Sequence, residues 1–259
     1  MPRYAVRLAN DRRSVSGVKL HLLPVGIIAV SGLLASLLPA SERAMVKITC
    51  PLDGSEFEAV QDFSGYAAGL RLDMKKMGAI SSPWALARCP ECGFPVYEKH
   101  PSPADIIRLK AIVSSERFRT EGRSALPWFA LAVLREELKA GPFEIGWTYL
   151  SASWEAENED RPEAYARAAQ RAIKWFDLAA TALQAQPERN RDRHLALYLP
   201  VELTRRLGDF AQAQHRLQQL PDMRDSGLDW LPAALQTQAG LIAARDKSPE
   251  GDSQTTRAK

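Results

Sequence analysis

The sequence predicts an α+β protein that is mainly α, with a small β module ahead of a larger helical domain. Three observations carry this prediction. Two turns of the same grammar, "CPLDGS" at Cys50 to Ser55 and "CPECGF" at Cys89 to Phe94, each sit between short runs of β-formers. After "KHPSP", Lys99 to Pro103, the texture changes: prolines recur between long helix-forming runs, and β-branched residues thin out. The composition of the 259-residue chain, 46% apolar and 25% charged, is that of a globular protein able to bury a substantial core. The boundaries expected are a leader over residues 1–44, the β module over 45–100, helical hairpins over 101–246 and a polar, disordered tail over 247–259.

The leader is basic and then apolar. Arg3, Arg7, Arg12, Arg13 and Lys19 face a single acid, Asp11, and Leu20 to Ala40 carries no Asp, Glu, Lys or Arg. That is the pattern of a signal or a membrane anchor through residues 20–40, with the basic end held in the cytoplasm. "DRRSVS" only faintly resembles a twin-arginine signal, and no small-x-small cleavage site follows, which favours an uncleaved anchor. Against this, "MVKITC" from Met45 reads as a natural start, and three thiols suit a reducing compartment. Two locations therefore stand open: anchored in the inner membrane with the C-terminal part outside, or cytoplasmic from Met45.

In the β module, "VKITC" and "SEFEAV" read as strands around the first turn, and "WALAR" and "FPVY" as extended runs around the second. Proline after the first ligand position fixes φ, and Gly54 and Gly93 admit the positive φ that closes each loop. Two such knuckles facing each other make the cage of a zinc ribbon. Cys50, Cys89 and Cys92 are the thiol ligands expected, and Asp53 stands where the first knuckle lacks its second cysteine. A carboxylate binds zinc at a distance close to that of imidazole, so Asp53 is the preferred fourth ligand. His100, or a water at an open position, is the rival. Between the knuckles, Gln61 to Pro83 reads as an insertion with a short helix or hairpin at "LRLDMKKMG", and Phe63, Tyr66, Met74 and Met77 are expected to form the module's core.

The helical part opens with Ser102 as N-cap, Pro103 at the first helical position and Asp105 in the first turn. "ALPWFALAVLREELKAG" and "PFEIGWTYLSASWEAEN" follow, the latter from Pro142. A long helix then begins near Pro162, with Asp160 expected to cap it. Its Tyr165, Ala168, Ala169, Ala172, Ile173, Phe176 and Ala180 form one stripe at helical spacing, which reads as core. "RNRDRHLALYLPVELTRRLGDFAQAQHRLQQLP" gives a helix, a turn at Gly208-Asp209 and a second helix, and "LDWLPAALQTQAGLIAARD" gives the last. Gly208, Phe210, Ala213 and Leu217 fit the second half of a tetratricopeptide repeat, although Pro200 stands where that pattern expects leucine.

From Val46 to Arg245 the chain resembles an uncharacterised bacterial family, of the domain-of-unknown-function kind, that pairs a zinc-knuckle module with tetratricopeptide-like helices. The residues that carry the resemblance are "KITCPLDGSEFE", "ALARCPECGFPVY", "IGWTYLSASWE" and "RRLGDFAQA". Members typically show Cys-Pro-x-Cys-Gly at both knuckles, so Asp53 is a departure. The resemblance implies an architecture and no reaction.

The function expected is a non-enzymatic, zinc-stabilised scaffold whose helices bind a protein or peptide partner. The alternative is a zinc-dependent enzyme with an open metal position. A deaminase-like site would need His-x-Glu beside its Pro-Cys-x-x-Cys turn, and none of the four histidines is followed by that pattern. A net charge of +3 and the lack of interleaved aromatic and basic residues do not indicate nucleic acid. A dithiol redox role for Cys89 and Cys92 is weaker still, because no helix N-terminus follows to lower a thiol pKa.

Overall fold

In the computed structural model, residues 41–223 and 226–249 are described. The leader over residues 1–40, with the apolar run Leu20 to Ala40, and the tail beyond residue 249 lie outside them. Among the described residues no helix is long and apolar enough to cross a membrane.

The β module consists of two separate antiparallel ribbons. β1 (Glu42–Thr49) pairs with β2 (Glu56–Ser64) in a register that sets Met45 opposite Val60 and Thr49 opposite Glu56. The first Cys-Pro turn therefore closes a hairpin. β3 (Tyr66–Leu70) pairs with β4 (Lys76–Ala79), so "LRLDMKKMG" is the bend and second strand of a hairpin and not a helix. Buried Asp62 ties the first ribbon to the chain beyond β4. It accepts hydrogen bonds from Ser81 Oγ and the Ala85 N–H and meets Arg43 Nε at 2.9 Å.

The extended runs around the second turn are joined by a single bridge, Arg88 to Pro95. One expectation for this module is corrected: Phe63 and Tyr66 are not core residues, being 48% and 56% exposed. The cause is that each two-stranded ribbon has an open face with nothing among the described residues packed on it. Leu52, Leu72 and Phe94, together with the sulfurs of Cys50 and Cys89, fill the interior instead, with Met74 partly buried against them.

The helical part comprises α1 (Pro103–Val113), α2 (Pro127–Glu137), α3 (Pro142–Asn158), α4 (Pro162–Ala182), α5 (Asn190–Leu207), α6 (Phe210–Gln218) and α7 (Leu231–Ala243). A π-helical turn, Phe118–Gly122, precedes α2, and a 3₁₀ turn, Pro187–Arg189, precedes α5. Proline occupies the first turn of α1, α2, α3, α4 and α7, where the missing N–H costs nothing. Ser102 caps α1 by accepting from the Asp105 N–H. Asp160 does not cap α4. It takes a left-handed φ of 52° that ends α3, with the Arg161 N–H donating back to the Ala156 carbonyl.

Successive helices pack in series: α2 on α3, α3 on α4, α4 on α5, α5 on α6 and α6 on α7. Short connections make neighbours antiparallel, as in any helical hairpin. The α4 stripe is buried as expected, with Ala168, Ala169, Ala172 and Phe176 at 1% exposure or less. Gly146 of α3 is what admits the Phe176 ring, since a Cβ there would lie 3.0 Å from it. α5 is the central rod, buried from His194 to Arg205, and it runs on through Pro200 with one ladder bond forgone. Gly208 ends α5 at φ 88°, and Asp209 caps α6 by accepting from the Gln212 N–H.

The module is bolted to the helices by an ion cluster. Asp73, inside the β3–β4 bend, accepts from Arg71, from Arg206 of α5 at 2.8 Å and from the Trp154 indole N–H of α3 at 3.1 Å. Glu157 at the end of α3 takes Arg71, Lys75 and Arg206. The Trp128 indole N–H also donates to the Trp84 carbonyl. At the far end, Arg205 donates to the carbonyls of Asp246 and Ser248. The first residues of the stretch expected to be disordered are thus held against α5.

Candidate metal centre

The two Cys-Pro turns fold alike. The Cys50 N–H donates to the Ser55 carbonyl at 2.8 Å and the Gly54 N–H to the Cys50 carbonyl at 3.0 Å. In the second turn the Cys89 N–H donates to the Phe94 carbonyl at 2.9 Å and the Gly93 N–H to the Cys89 carbonyl at 3.0 Å. Gly54 and Gly93 stand at φ 76° and 77°, the left-handed conformation that any side chain would strain. Repeated geometry of this kind points the side chain of each leading cysteine at the facing turn.

What converges between the turns is a four-donor cluster. Ligand atoms of Cys50, Asp53, Cys89 and Cys92 all lie within 4.8 Å of one another, and the group can hold a metal ion. Cys50 Sγ and Cys92 Sγ are 3.7 Å apart, and Cys89 Sγ lies 3.3 Å from Asp53 Oδ2. Cys50 and Cys89 are buried, Cys92 is half-buried, and Asp53 is the exposed corner. His100 is exposed and is not brought to the cluster; its backbone N–H donates to Glu98. Glu91, within the second turn, faces solvent.

The electrostatics suit a cation. Burial pushes the Cys50 thiol up to about 11, and burial likewise drives Cys92 upward. Burial would raise Asp53 too, but the Ser55 hydroxyl and N–H, both donating to Oδ1, outweigh it and hold the carboxyl well below its usual range. One carboxylate oxygen is therefore fixed by Ser55 while the other faces the thiols. A cation supplies the positive charge that lets crowded sulfurs ionise, so binding and proton release are coupled. Three sulfurs and a carboxylate form a donor set that fits zinc by softness and by number.

Residues around the cluster escaped the sequence reading. Ser55 Oγ lies 3.2 Å from Cys89 Sγ as well as 2.6 Å from Asp53, and an Asp-Gly-Ser turn is a local signal that could have found it. Arg123 braces the second turn by donating to the Glu91 carbonyl at 2.7 Å, and Arg88 donates to the carbonyls of Arg123 and Ala125. Nothing local marks these two, because their partners come from another element.

The family model of an uncharacterised protein conserved in bacteria, DUF2225, matches residues 46–239. No curated protein and no solved structure matches the chain. The match spans well over half of the chain, and the chain belongs to this uncharacterised bacterial family.

Proposed function

We propose that this member of the family is a non-enzymatic protein-interaction scaffold in which a zinc ion staples the β module and the paired helices meet a protein or peptide partner. The observation that supports it best is the convergence of four donors from two matching turns, two of the sulfurs buried. A small module with exposed Phe63 and Tyr66 buries little apolar surface of its own, and a bound metal supplies what such a core lacks. Serial packing from α2 to α7, with a glycine turn at Gly208, supports the tetratricopeptide-like reading of the helices. A groove of about 290 Å³ between α2, α3 and α4 has Leu126, Phe129 and Ala156 in its floor and Glu121, Arg161 and Arg167 at its rim. It has the size and polarity for one apolar side chain of a peptide.

The exposure of Asp53 favours a second reading, in which that corner opens and a water takes its place on the ion. One experiment separates the two: capture of binding partners by the metal-loaded full chain and by Ala156→Trp, which fills the groove, alongside a hydrolase substrate panel. The scaffold reading expects a protein captured by the wild type and lost from the variant, with no turnover. Turnover that disappears on chelation would support the enzyme instead.

A further inference from the structure

The second knuckle carries, on its outer side, a feature that neither the metal nor the helical scaffold explains. Arg119 and Arg123 stand four residues apart across the π-helical turn Phe118–Gly122, and both line a cleft of about 270 Å³. The other walls are Cys92, Val113 and Ser114. Like charges at this spacing repel unless something anionic lies between them. Among the described residues neither arginine forms an ion pair, whereas the cations around them are matched. Arg117 is paired with Glu136 and Glu137, and Glu121 is taken by Arg167 and Arg171. Arg123 is also preset: its guanidinium donates to the Glu91 carbonyl, and its Cγ packs where Gly93 has no Cβ. Cys92, the wall shared with the metal centre, is the only one of the three thiols that is not buried.

We propose that this cleft is an oxyanion subsite that takes a phosphoryl group, with Arg119 and Arg123 on either side of it and the Ser114 hydroxyl at its edge. Two guanidinium groups match a dianion in charge and in donor geometry. The cleft holds a phosphoryl group with its water but no nucleotide, so the rest of the ligand extends into solvent. The phosphoryl group comes either from a small phosphate ester or free phosphate, or from a phosphorylated peptide. The inference is independent of the scaffold reading and of which cation the four donors hold.

The test is calorimetric titration of the full chain, as isolated with its metal, with inorganic phosphate and then with a phosphoserine peptide in chloride buffer. Among the described residues Arg119 makes no side-chain hydrogen bond or ion pair, so Arg119→Ala leaves the fold intact, and Arg191→Ala, at an exposed position of α5 that does not line the cleft, serves as the control. Saturable binding is expected, weakened about tenfold by Arg119→Ala and unchanged by Arg191→Ala, with metal content the same in all three. Phosphate binding as well as the peptide assigns the site to free phosphate or small esters, while tight binding of the peptide alone assigns it to phosphopeptides; both support the cleft. No saturable binding of either probe, or equal binding by wild type and Arg119→Ala, overturns the proposal.

Discussion

Asp53 is the residue on which the centre turns. Its turn matches the Cys89–Phe94 turn in backbone geometry, with a carboxylate where that turn has its second thiol, and Ser55 holds the carboxylate ionised by donating twice to one oxygen. In the proposed centre Asp53→Ala removes one of four donors and leaves three sulfurs, so zinc affinity in a competitive chelator titration should fall at least tenfold. Asp53→Cys completes the cysteine pair of the first turn and should tighten it. A second residue makes a prediction of its own. Burial raises the Glu155 carboxyl from 4.5 to about 7, against the pull of the Trp128 N–H that donates to it at 2.9 Å. The folded state therefore binds a proton more readily than the unfolded chain between those values, and stability falls as pH rises from 4.5 to 7. The loss is about 3 kcal/mol at most. Glu155→Gln keeps an acceptor for Trp128 and should flatten that slope in urea melts at pH 5 and pH 8.

At the scale of the element, the joint between β3–β4 and the ends of α3 and α5 explains how the β module is held. Asp73 and Glu157 draw Arg71, Lys75 and Arg206 into one cluster, and hydrogen bonds from these cations hold Glu157 down at about 2 although burial opposes it. A carboxyl so depressed contributes stability above pH 4.5 and loses it as pH falls toward 2. Glu157→Ala leaves Lys75 without a carboxylate and Arg71 and Arg206 with Asp73 alone, and should cost about 2–4 kcal/mol, read as a lower urea midpoint. Hydrogen exchange should quicken in β3 and β4 more than in α4.

The same joint shows what the sequence could and could not disclose. Helix starts were legible because Pro103, Pro142 and Pro162 act through their own φ, and the two Cys-Pro turns because Cys-Pro-x-x-Gly is a local grammar. The Asp73–Arg206 pair spans 133 positions and leaves no local trace. Asp160 misled for a related reason: an aspartate before a proline resembles a cap, yet the carbonyls left open at the end of α3 claimed its backbone first. Phe63 and Tyr66 are apolar by composition, and only the finding that the two ribbons are separate two-stranded sheets reveals that no described residue covers them.

Across the whole molecule, two sources of order meet at the joint. The helices supply most of one continuous core that also takes in Cys50, Leu52, Leu72, Cys89 and Phe94 of the head, with α5 buried along most of its length and its Arg205–Glu202 pair fully enclosed. The head has a few apolar side chains and the four donors. If a metal staples the head as proposed, stripping it with a chelator should abolish amide protection in β1 to β4 while most of the helical circular dichroism persists, separating one melt into two. The central claim is that two facing turns grip one ion with three sulfurs and the Asp53 carboxylate. X-ray absorption at the zinc edge of the purified full chain tests it most directly. The account predicts one zinc per chain with three sulfurs at about 2.3 Å and one oxygen at about 2.0 Å. A protein isolated without metal, or a Cys50–Cys92 disulfide in place of the ion, would contradict it.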